Sequence, residues 1–404
     1  MKRRNFLRNS AIATSAVALK ANASNSAFFI GTEPIKIALI GCGGRGTGAA
    51  FQALSVKENV VLVAMADAFQ DRLDNCYNSL NSDKNPGVKA RLKVPKENQF
   101  VGFEAYKKAI ALADVVILTT PPGFRPMHFE EAVAQGKHVF MEKPVATDAP
   151  GIRRVLKAAE ESKKKNLKVV VGLQRHYQTS YLETYKRVID QKVIGDLVSA
   201  RCYWNNDGVW VVKREAQMTE MEYQMRNWYY FVWLCGDHIS EQHIHNIDVI
   251  NWFKGGHPVE AVGLGGREVR KGKEYGEIFD HHYVEFTYGD GMVLNSQCRH
   301  QPGTVSNVSE HLIGTAGRAT EGKNFDCIVN DKPINDAENG AIATMTSIMG
   351  RMATYSGQKV TWDEAINSQV NYFPEKLDWN HLPKSLPDSN GFYPIPVPGK
   401  DKLI

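Results

Sequence analysis

A glycine-rich turn after a short apolar strand constrains this chain more than any other feature of its sequence. Residues 35–40 form an apolar run with the length and branching of a buried strand. The next six residues, GCGGRG at 41–46, fit G-x-G-x-x-G. We expect Gly41 to allow a tight turn, Gly43 to leave room for a pyrophosphate, and Gly46 to let the following helix pack closely on the strand.

The residue that ends the next strand indicates which dinucleotide fits this turn. A second apolar run, residues 60–66, ends in Asp67, which stands 21 residues after Gly46. An acidic side chain at this distance accepts hydrogen bonds from ribose hydroxyls. No arginine directly follows Asp67 to receive a 2′-phosphate, so the sequence favours NAD over NADP as cofactor. The alternative is a capping aspartate after an ordinary strand.

The order of the predicted elements changes about halfway along the chain. Strands alternate with helices up to about residue 175, which predicts an α/β Rossmann domain with a doubly wound parallel sheet. Further on, several neighbouring strands with a hairpin turn at 288–291 predict a C-terminal α+β domain with a largely antiparallel open sheet. The predicted division is an export signal and linker over 1–30, an NAD-binding Rossmann domain over 31–175, a substrate and oligomerisation domain over 176–335, and a C-terminal extension over 336–404 that packs on both domains.

Charge and hydropathy exclude two classes of partner. The 404 residues include 49 Lys and Arg against 44 Asp and Glu, but five of the basic residues lie within positions 1–23. The remainder is balanced, which argues against a nucleic-acid surface because such a surface needs a basic excess. No apolar run is long enough to span a bilayer.

The first segment has the organisation of an export signal. Paired arginines at 3–4 are followed by Phe-Leu, a short apolar stretch at 11–19 and a small-x-small cleavage site at 21–23. This pattern predicts a twin-arginine signal and a periplasmic location. That route carries folded proteins, which suits a protein that acquires NAD in the cytoplasm. The alternative is an amphipathic helix of a cytoplasmic protein.

The tripeptide Glu142-Lys143-Pro144 follows an apolar strand of the predicted nucleotide domain. It therefore lies at the carboxyl end of the sheet, where doubly wound folds bind ligands. The motifs GCGGRG at 41–46, Asp67, TTPP at 119–122, EKP at 142–144 and HNID at 245–248 together resemble the glucose–fructose oxidoreductase, inositol dehydrogenase and rhizopine catabolism (Gfo/Idh/MocA) family. The resemblance extends from residue 35 to about residue 320.

This resemblance implies a Rossmann domain joined to an open antiparallel sheet that carries the substrate face. It implies hydride transfer between a sugar or cyclitol hydroxyl and a nicotinamide cofactor, with Lys143 and His245 as catalytic residues. Sheets of this family often pair face to face, so we predict a homodimer or tetramer. The family usually has an aspartate four residues before the histidine, and here that position is Glu241.

The spacing of Glu241 and His245 places them on one helical face, where the carboxylate can set the histidine tautomer or orient the substrate. We expect His245, with a pKa near neutrality, to remove the hydroxyl proton. We expect Lys143 to stabilise the developing charge on the same oxygen. A metal site is the alternative, because His238, Glu241 and His245 stand at i, i+3 and i+7. The six scattered cysteines add no metal-binding spacing, and the interpretation adopted is that no metal is bound.

The remaining candidates are contacts rather than catalysts. The predicted cofactor contacts are Gly41, Cys42, Gly43, Gly44, Arg45, Gly46, Asp67, Thr120, Pro121, Pro122, His128, Glu142 and Lys143. The predicted substrate contacts are Arg175, Tyr177, Asn205, Trp210, Trp228, His238 and His243. Aromatic faces stack on sugar rings, although a Trp or Tyr also serves as an ordinary core residue.

The function predicted from the sequence is that of an NAD-dependent dehydrogenase with tightly held cofactor. Its substrate is a sugar or glycoside, and carbon 3 of a pyranoside is the expected position by family resemblance. An alternative is a redox-neutral glycosidase that oxidises carbon 3 transiently, eliminates the aglycone, adds water and re-reduces the ring. A second alternative is a carbohydrate-binding protein without catalysis.

Overall fold

The computed structural model describes residues 33–320 and 335–401, which contain two β-sheets. The predicted signal segment lies outside these residues. The first sheet is parallel throughout, with the strand order β3-β2-β1-β4-β5-β6. Its strands are β1 (Ile35–Ile40), β2 (Val60–Asp67), β3 (Gln99–Val101), β4 (Val115–Leu118), β5 (His138–Met141) and β6 (Val169–Val171). This arrangement confirms the predicted Rossmann sheet.

Helices connect the strands of the first sheet. They are α1 (Gly44–Leu54), α2 (Gln70–Leu80), α3 (Pro86–Arg91), α4 (Ala105–Ala111), α5 (Arg125–Ala134) and α6 (Ala149–Lys164). Their inward faces cover the buried strands, so the carboxyl ends of β1, β2, β4 and β5 remain available for the site. The polar stretch between α2 and β3 contains the short helix α3.

The second sheet has seven strands in the order β12-β11-β7-β10-β9-β8-β13. They are β7 (Leu197–Asn206), β8 (Glu260–Gly266), β9 (His281–Thr287), β10 (Val293–His300), β11 (Asn307–Gly314), β12 (Arg318–Thr320) and β13 (Val360–Thr361). The pair β7–β10 is parallel and the other pairs are antiparallel, which confirms the largely antiparallel prediction. Along β10 every second residue is buried, so one face of the sheet is covered and the other is not.

Seven helices accompany the second sheet among the described residues. They are α7 (Thr179–Tyr185), α8 (Glu220–Arg226), α9 (Val232–Cys235), α10 (His238–Glu241), α11 (Ile244–Lys254), α12 (Ala337–Ser356) and α13 (Trp362–Asn367). Thr361 and Glu364 form a capping box at the start of α13. No helix of the described residues is long and apolar enough to cross a membrane.

Helix α12 is in contact with both sheets, and the sequence analysis did not predict it. A Cβ on Gly340 would lie 2.9 Å from Val171 of β6, and one on Gly350 would lie 2.8 Å from Phe286 of β9. These two glycines therefore allow the helix backbone to approach each sheet closely. The boundaries predicted at residues 175 and 335 remain predictions.

Candidate active site

The glycine turn between β1 and α1 has the backbone geometry that its sequence predicts. Gly41 has φ +98°, and a Cβ there would lie 2.6 Å from the Thr120 nitrogen. A Cβ on Gly46 would lie 1.9 Å from the carbonyl oxygen of Gly41, so helix and strand touch at this point. A Cβ on Gly43, the N-cap of α1, would meet no atom within 4 Å. The open space beside Gly43 fits a ligand phosphate at the helix N-terminus.

A cavity of about 530 Å³ opens beside this turn. Its lining includes the glycine turn with Asp67 at the end of β2, and also Trp210 and Trp228 from the second half of the chain. The volume lies within the usual range for ligand pockets, roughly 300–1,000 Å³. Trp210 and Trp228 are both predicted substrate contacts, and their rings are 5.8 Å apart. Two predicted substrate contacts therefore lie at the nucleotide cavity.

The Asp67 carboxylate is fixed by backbone N–H groups. Its Oδ2 accepts from Cys42 N at 2.6 Å and its Oδ1 accepts from Phe69 N at 2.9 Å. Burial raises the pKa of Asp67, against the effect of these N–H donors and of the nearby Arg72. The thiol of Cys42 donates to the carbonyl of Ala66 and points into the core, so Cys42 offers its backbone rather than its side chain to the site.

A buried arginine that the sequence analysis missed ties two strand ends together. Arg125 donates to the carbonyl of Thr120 at 2.6 Å and to the carbonyl of Glu142 at 3.0 Å, which follow β4 and β5. The Thr120 hydroxyl also lies 3.2 Å from His128 Nδ1. Burial and the charge of Arg125 lower the pKa of His128 to about 3, so this ring is neutral. Thr120, Pro121 and His128 line the cavity, whereas Pro122 is buried and does not line it.

Two ion pairs follow one another at the end of β5. Arg45 of the glycine turn contacts Glu142 through Nε at 2.6 Å. The next residue, Lys143, places Nζ 3.0 Å from Glu241 Oε1 and also donates to the Glu241 carbonyl. Burial raises the pKa of Glu241, and the Lys143 charge opposes that effect. The structure thus connects the nucleotide turn, through Glu142, to the predicted catalytic lysine.

The prediction that Glu241 and His245 share one helical face is wrong. Helix α10 ends at Glu241 and α11 begins at Ile244, so a break separates the two residues. Glu241 is bonded to Lys143 and therefore orients the lysine rather than the histidine. The same break removes the helical stripe on which the sequence-based metal alternative depended.

His245 lies close to Lys143 and packs against Trp204. The His245 and Trp204 rings are 6.1 Å apart and nearly parallel, and His245 is 8% exposed. Within the described residues, His245 Nδ1 has no hydrogen-bond partner. Burial, followed by the positive charges of Lys143 and Arg175, holds the pKa of His245 well below its usual value. The ring is therefore uncharged. The expectation that His245 has a pKa near neutrality is wrong, because burial lowers that pKa.

His238, a predicted substrate contact, belongs to a buried polar cluster beneath α10. Ligand atoms of Asp237, His238 and His282 lie within 4.8 Å of one another. The Asp237 carboxylate accepts from Phe279 N at 2.9 Å and also binds the Tyr355 hydroxyl and His238 Nδ1. Because these donors already occupy its oxygens, the cluster is organised as a hydrogen-bond network. That no metal is bound remains a prediction.

His243 is also a core residue in this structure. Its Nε2 lies 2.7 Å from Ser296 Oγ and its Nδ1 lies 3.3 Å from Asn246 Oδ1. Burial lowers its pKa to about 3, and that of His238 to about 4. With both ring nitrogens of His243 engaged, the structure offers no free nitrogen of this residue to a substrate.

The other predicted substrate contacts have partners within the protein. Arg175 is paired with Glu310, and the Tyr177 hydroxyl donates to Asp336. Arg175 nevertheless lies near enough to His245 to lower the pKa of that ring. Asn205 is half-buried on β7 opposite Asn307. The structure thus brings Arg175 toward His245 and leaves Tyr177 in a separate hydrogen-bonded pair.

Comparison with known proteins relates the first sheet to one family. Residues 35–172 match the model of the Gfo/Idh/MocA oxidoreductase family, described as an NAD-binding Rossmann fold. An inositol 2-dehydrogenase of Klebsiella pneumoniae (strain 342) is 28% identical over 222 residues, 54% of each chain. One from Ralstonia nicotianae is 34% identical over 148 residues, 36% of this chain and 37% of that one. The chain thus matches about half the length of these curated relatives, or less.

Solved structures show the same fold over both sheets. The scyllo-inositol dehydrogenase of Lactobacillus casei with bound NAD(H) and scyllo-inositol has a TM-score of 0.61 at 19% identity, covering 82% of this chain and all of that one. The myo-inositol 2-dehydrogenase of Lactobacillus plantarum has a TM-score of 0.60 at 20% identity, covering 81% and 99%. At these identities the likeness establishes the fold.

Proposed function

We propose that this chain, whose residues 35–172 carry the nucleotide-binding fold of the Gfo/Idh/MocA oxidoreductases, is an NAD-dependent dehydrogenase acting on a ring hydroxyl of a sugar or cyclitol. One observation carries the proposal. The Lys143–Glu241 ion pair lies near the neutral ring of His245, and the residue before Lys143, Glu142, is paired with Arg45 of the glycine turn. Oxidation of an alcohol requires a neutral group that accepts the hydroxyl proton and a charged donor that stabilises the same oxygen.

The protein side chains have distinct roles in this proposal. Neutral His245 accepts the proton of the substrate hydroxyl, and the Lys143 ammonium group donates a hydrogen bond to the same oxygen. Glu241 holds the ammonium group in place, because its carboxylate and carbonyl both accept from Nζ. The nicotinamide supplies the hydride acceptor when it is bound. The low pKa of His245 makes it a weak base, so the positive charge of Lys143 must lower the barrier to proton loss.

We propose NAD rather than NADP as the cofactor. The Asp67 carboxylate stands at the end of β2 with both oxygens on backbone N–H groups, and it would repel a 2′-phosphate. Arg72, whose charge acts on Asp67, also lines the cavity and is a cation that a 2′-phosphate could meet. Titration of the purified chain with each dinucleotide tests the choice. NAD should bind at least about tenfold more tightly, and equal affinities would contradict the proposed role of Asp67.

The substrate proposed here is a pyranoside oxidised at carbon 3, a narrower statement that rests on the family resemblance. The test mixes the purified chain, without added cofactor, with a stoichiometric amount of an aryl glucoside while nicotinamide absorbance and products are recorded. A stable rise in reduced nicotinamide with a keto-glycoside supports the dehydrogenase. If NAD is added and several sugars and inositols still give no reduction, the proposal is wrong.

A redox-neutral glycosidase is the second candidate, and one observation favours it. Trp210 and Trp228 from the second half of the chain line the nucleotide cavity, and contacts from this half would help to keep a cofactor bound between turnovers. In the same experiment this enzyme would release free phenol over many turnovers without net reduction. The two outcomes exclude one another, so the measurement decides between the candidates.

We also propose export through a twin-arginine signal and assembly as a dimer or tetramer. The basic head at residues 2–8 supports the first proposal. Exposed apolar side chains on the uncovered face of the second sheet, such as Val262 and Leu264 at 47% and 68% exposure, support the second. Light scattering that shows a monomer would contradict the oligomer, and a fusion that stays in the cytoplasm would contradict export.

A further inference from the structure

A group of four side chains joins the Rossmann half to two later parts of the chain at one end of the cavity. Phe69 follows β2, Phe103 follows β3, Arg226 ends α8, and Trp379 lies in the C-terminal extension. We refer to these four residues as the clasp. The Trp379 ring lies 5.1 Å from the Phe69 ring and 4.7 Å from the Phe103 ring.

Arg226 is held in the clasp from three sides. Its guanidinium group stands 4.1 Å above the Phe69 ring. It donates twice to Asp71, at 3.2 Å each, and once to Glu222 at 2.9 Å. A planar guanidinium makes stacked and forked contacts at the same time, which an ammonium group does not. The α8 end is therefore fastened to the turn that follows β2.

The clasp lies at the ribose-binding end of the nucleotide cavity. Phe69, Phe103 and Arg226 line the cavity, and Phe69 N is one of the two donors that fix Asp67. In a doubly wound fold the residue at the position of Asp67 contacts the adenosine ribose. The clasp thus stands where the adenosine half of a bound dinucleotide would leave the cavity.

We propose that Arg226 and Trp379 are cofactor-retaining residues: Arg226 closes the cavity over the adenosine half of NAD, Trp379 holds the cavity-lining rings of Phe69 and Phe103 in place, and both slow the release of the cofactor. The proposal rests on the proposed function, because it takes NAD as the occupant. Release requires Arg226 to leave Phe69 and Asp71, or Trp379 to leave the two phenylalanines. Contacts that must break before dissociation act mainly on the dissociation rate. A redox-neutral cycle needs a cofactor that stays bound, whereas a dehydrogenase that exchanges its cofactor freely does not need retention.

The test measures cofactor exchange in the full-length protein. The chain is loaded with NAD, freed of excess by gel filtration, and mixed with isotopically labelled NAD, and the bound dinucleotide is followed by mass spectrometry. Arg226→Ala and Trp379→Ala should each exchange at least about tenfold faster than the unmodified chain. Arg226→Lys, which keeps the charge and loses the planar stack, should fall between the two rates.

Arg214 provides a matched control. It forms an ion pair with Glu220, and its guanidinium group stands 5.0 Å from the Tyr223 ring of α8, but neither Arg214 nor these two partners line the cavity. Arg214→Ala should therefore exchange at the unmodified rate. Thermal unfolding shows whether each variant is folded, and Trp379→Ala carries the test if Arg226→Ala is not.

Two outcomes would overturn the proposal: an Arg226→Ala exchange rate equal to that of Arg214→Ala, or an unmodified chain that exchanges NAD within the mixing time. Failure of the proposed function looks different. A chain that retains NAD through the clasp but transfers no hydride to any sugar or inositol refutes the dehydrogenase and supports retention. A chain that binds no dinucleotide refutes both.

Discussion

Coupling energies measured on unfolding test whether the Glu241 carboxylate orients Lys143 or His245. Lys143 Nζ lies 3.0 Å from Glu241 Oε1, and the side chains are 11% and 14% exposed. At an effective dielectric constant of about 20, unit charges at this distance attract by about 5 kcal/mol before desolvation. After desolvation we expect a net coupling of about 2–3 kcal/mol. Glu241 is hydrogen-bonded to Lys143 and not to His245, so we expect the Glu241–His245 coupling to stay below about 0.5 kcal/mol.

Two double-mutant cycles on the free energy of unfolding measure these couplings. The first combines Lys143→Met with Glu241→Gln, and the second combines His245→Asn with Glu241→Gln. Both use urea unfolding at neutral pH, so no variant needs activity to be informative. A Glu241–His245 coupling above that of Lys143–Glu241 would refute the assignment of Glu241 to the lysine. If Glu241 acts through Lys143, Glu241→Gln should cause no further loss of activity in a chain that already carries Lys143→Met.

Three further predictions concern the nucleotide turn and the buried histidines. Gly43→Ala should fold like the unmodified chain but bind NAD at least about tenfold more weakly in a calorimetric titration, because its Cβ enters only the open cavity. Gly46→Ala should lose more than about 3 kcal/mol of unfolding free energy in urea, because its Cβ would overlap the carbonyl of Gly41; a smaller loss would contradict the packing. Burial lowers the pKa of His128 and of His243 to about 3. Acidification from pH 6.5 to 5 should therefore lower the free energy of unfolding by roughly 2 kcal/mol for each of these histidines, because the unfolded chain takes up a proton that the folded chain excludes. The pH dependence of the urea midpoint should therefore be weaker in His128→Asn, and an unchanged dependence would refute this sign.

The nucleotide half was predictable because its elements are specified by local sequence. The apolar runs at β1 and β2, the glycines at 41 and 46 and the position of Asp67 all depend on neighbours within about 25 residues. Such signals predict strand, turn and helix without knowledge of the rest of the chain. They also placed Lys143 correctly at the end of β5.

The break between α10 and α11 was not predictable from spacing, because its causes are distant in sequence. His243 is drawn into the core by Ser296, which lies 53 residues away on β10. Asp237 adopts φ +70°, a left-handed conformation that is unfavourable for a side chain, and its carboxylate is held by Tyr355 and Phe279. Helical periodicity contains none of this information, and the shared face of Glu241 and His245 was inferred from periodicity alone.

Helix α12 and the clasp were missed for different physical reasons. Seventeen of the 20 residues of α12 are buried, so the helix has no polar face and gives no amphipathic pattern. The clasp depends on Arg226 and Trp379, which lie 153 residues apart and meet only through Phe69. A lone arginine and a lone tryptophan carry no sequence signal of a joint role.

The position of α12 bears on which parts of this chain can exist alone. The family model matches residues 35–172, yet Val171 at the end of that stretch is covered by Gly340 of α12, and Ser162 is bonded to Asn335. A fragment cut after residue 172 would expose β6 and one side of α6 to water. The sequence thus identifies the nucleotide half as a module, but this half cannot be separated from α12. Recombination that exchanges the substrate half must bring a compatible α12 with it, so the two halves are constrained to evolve together.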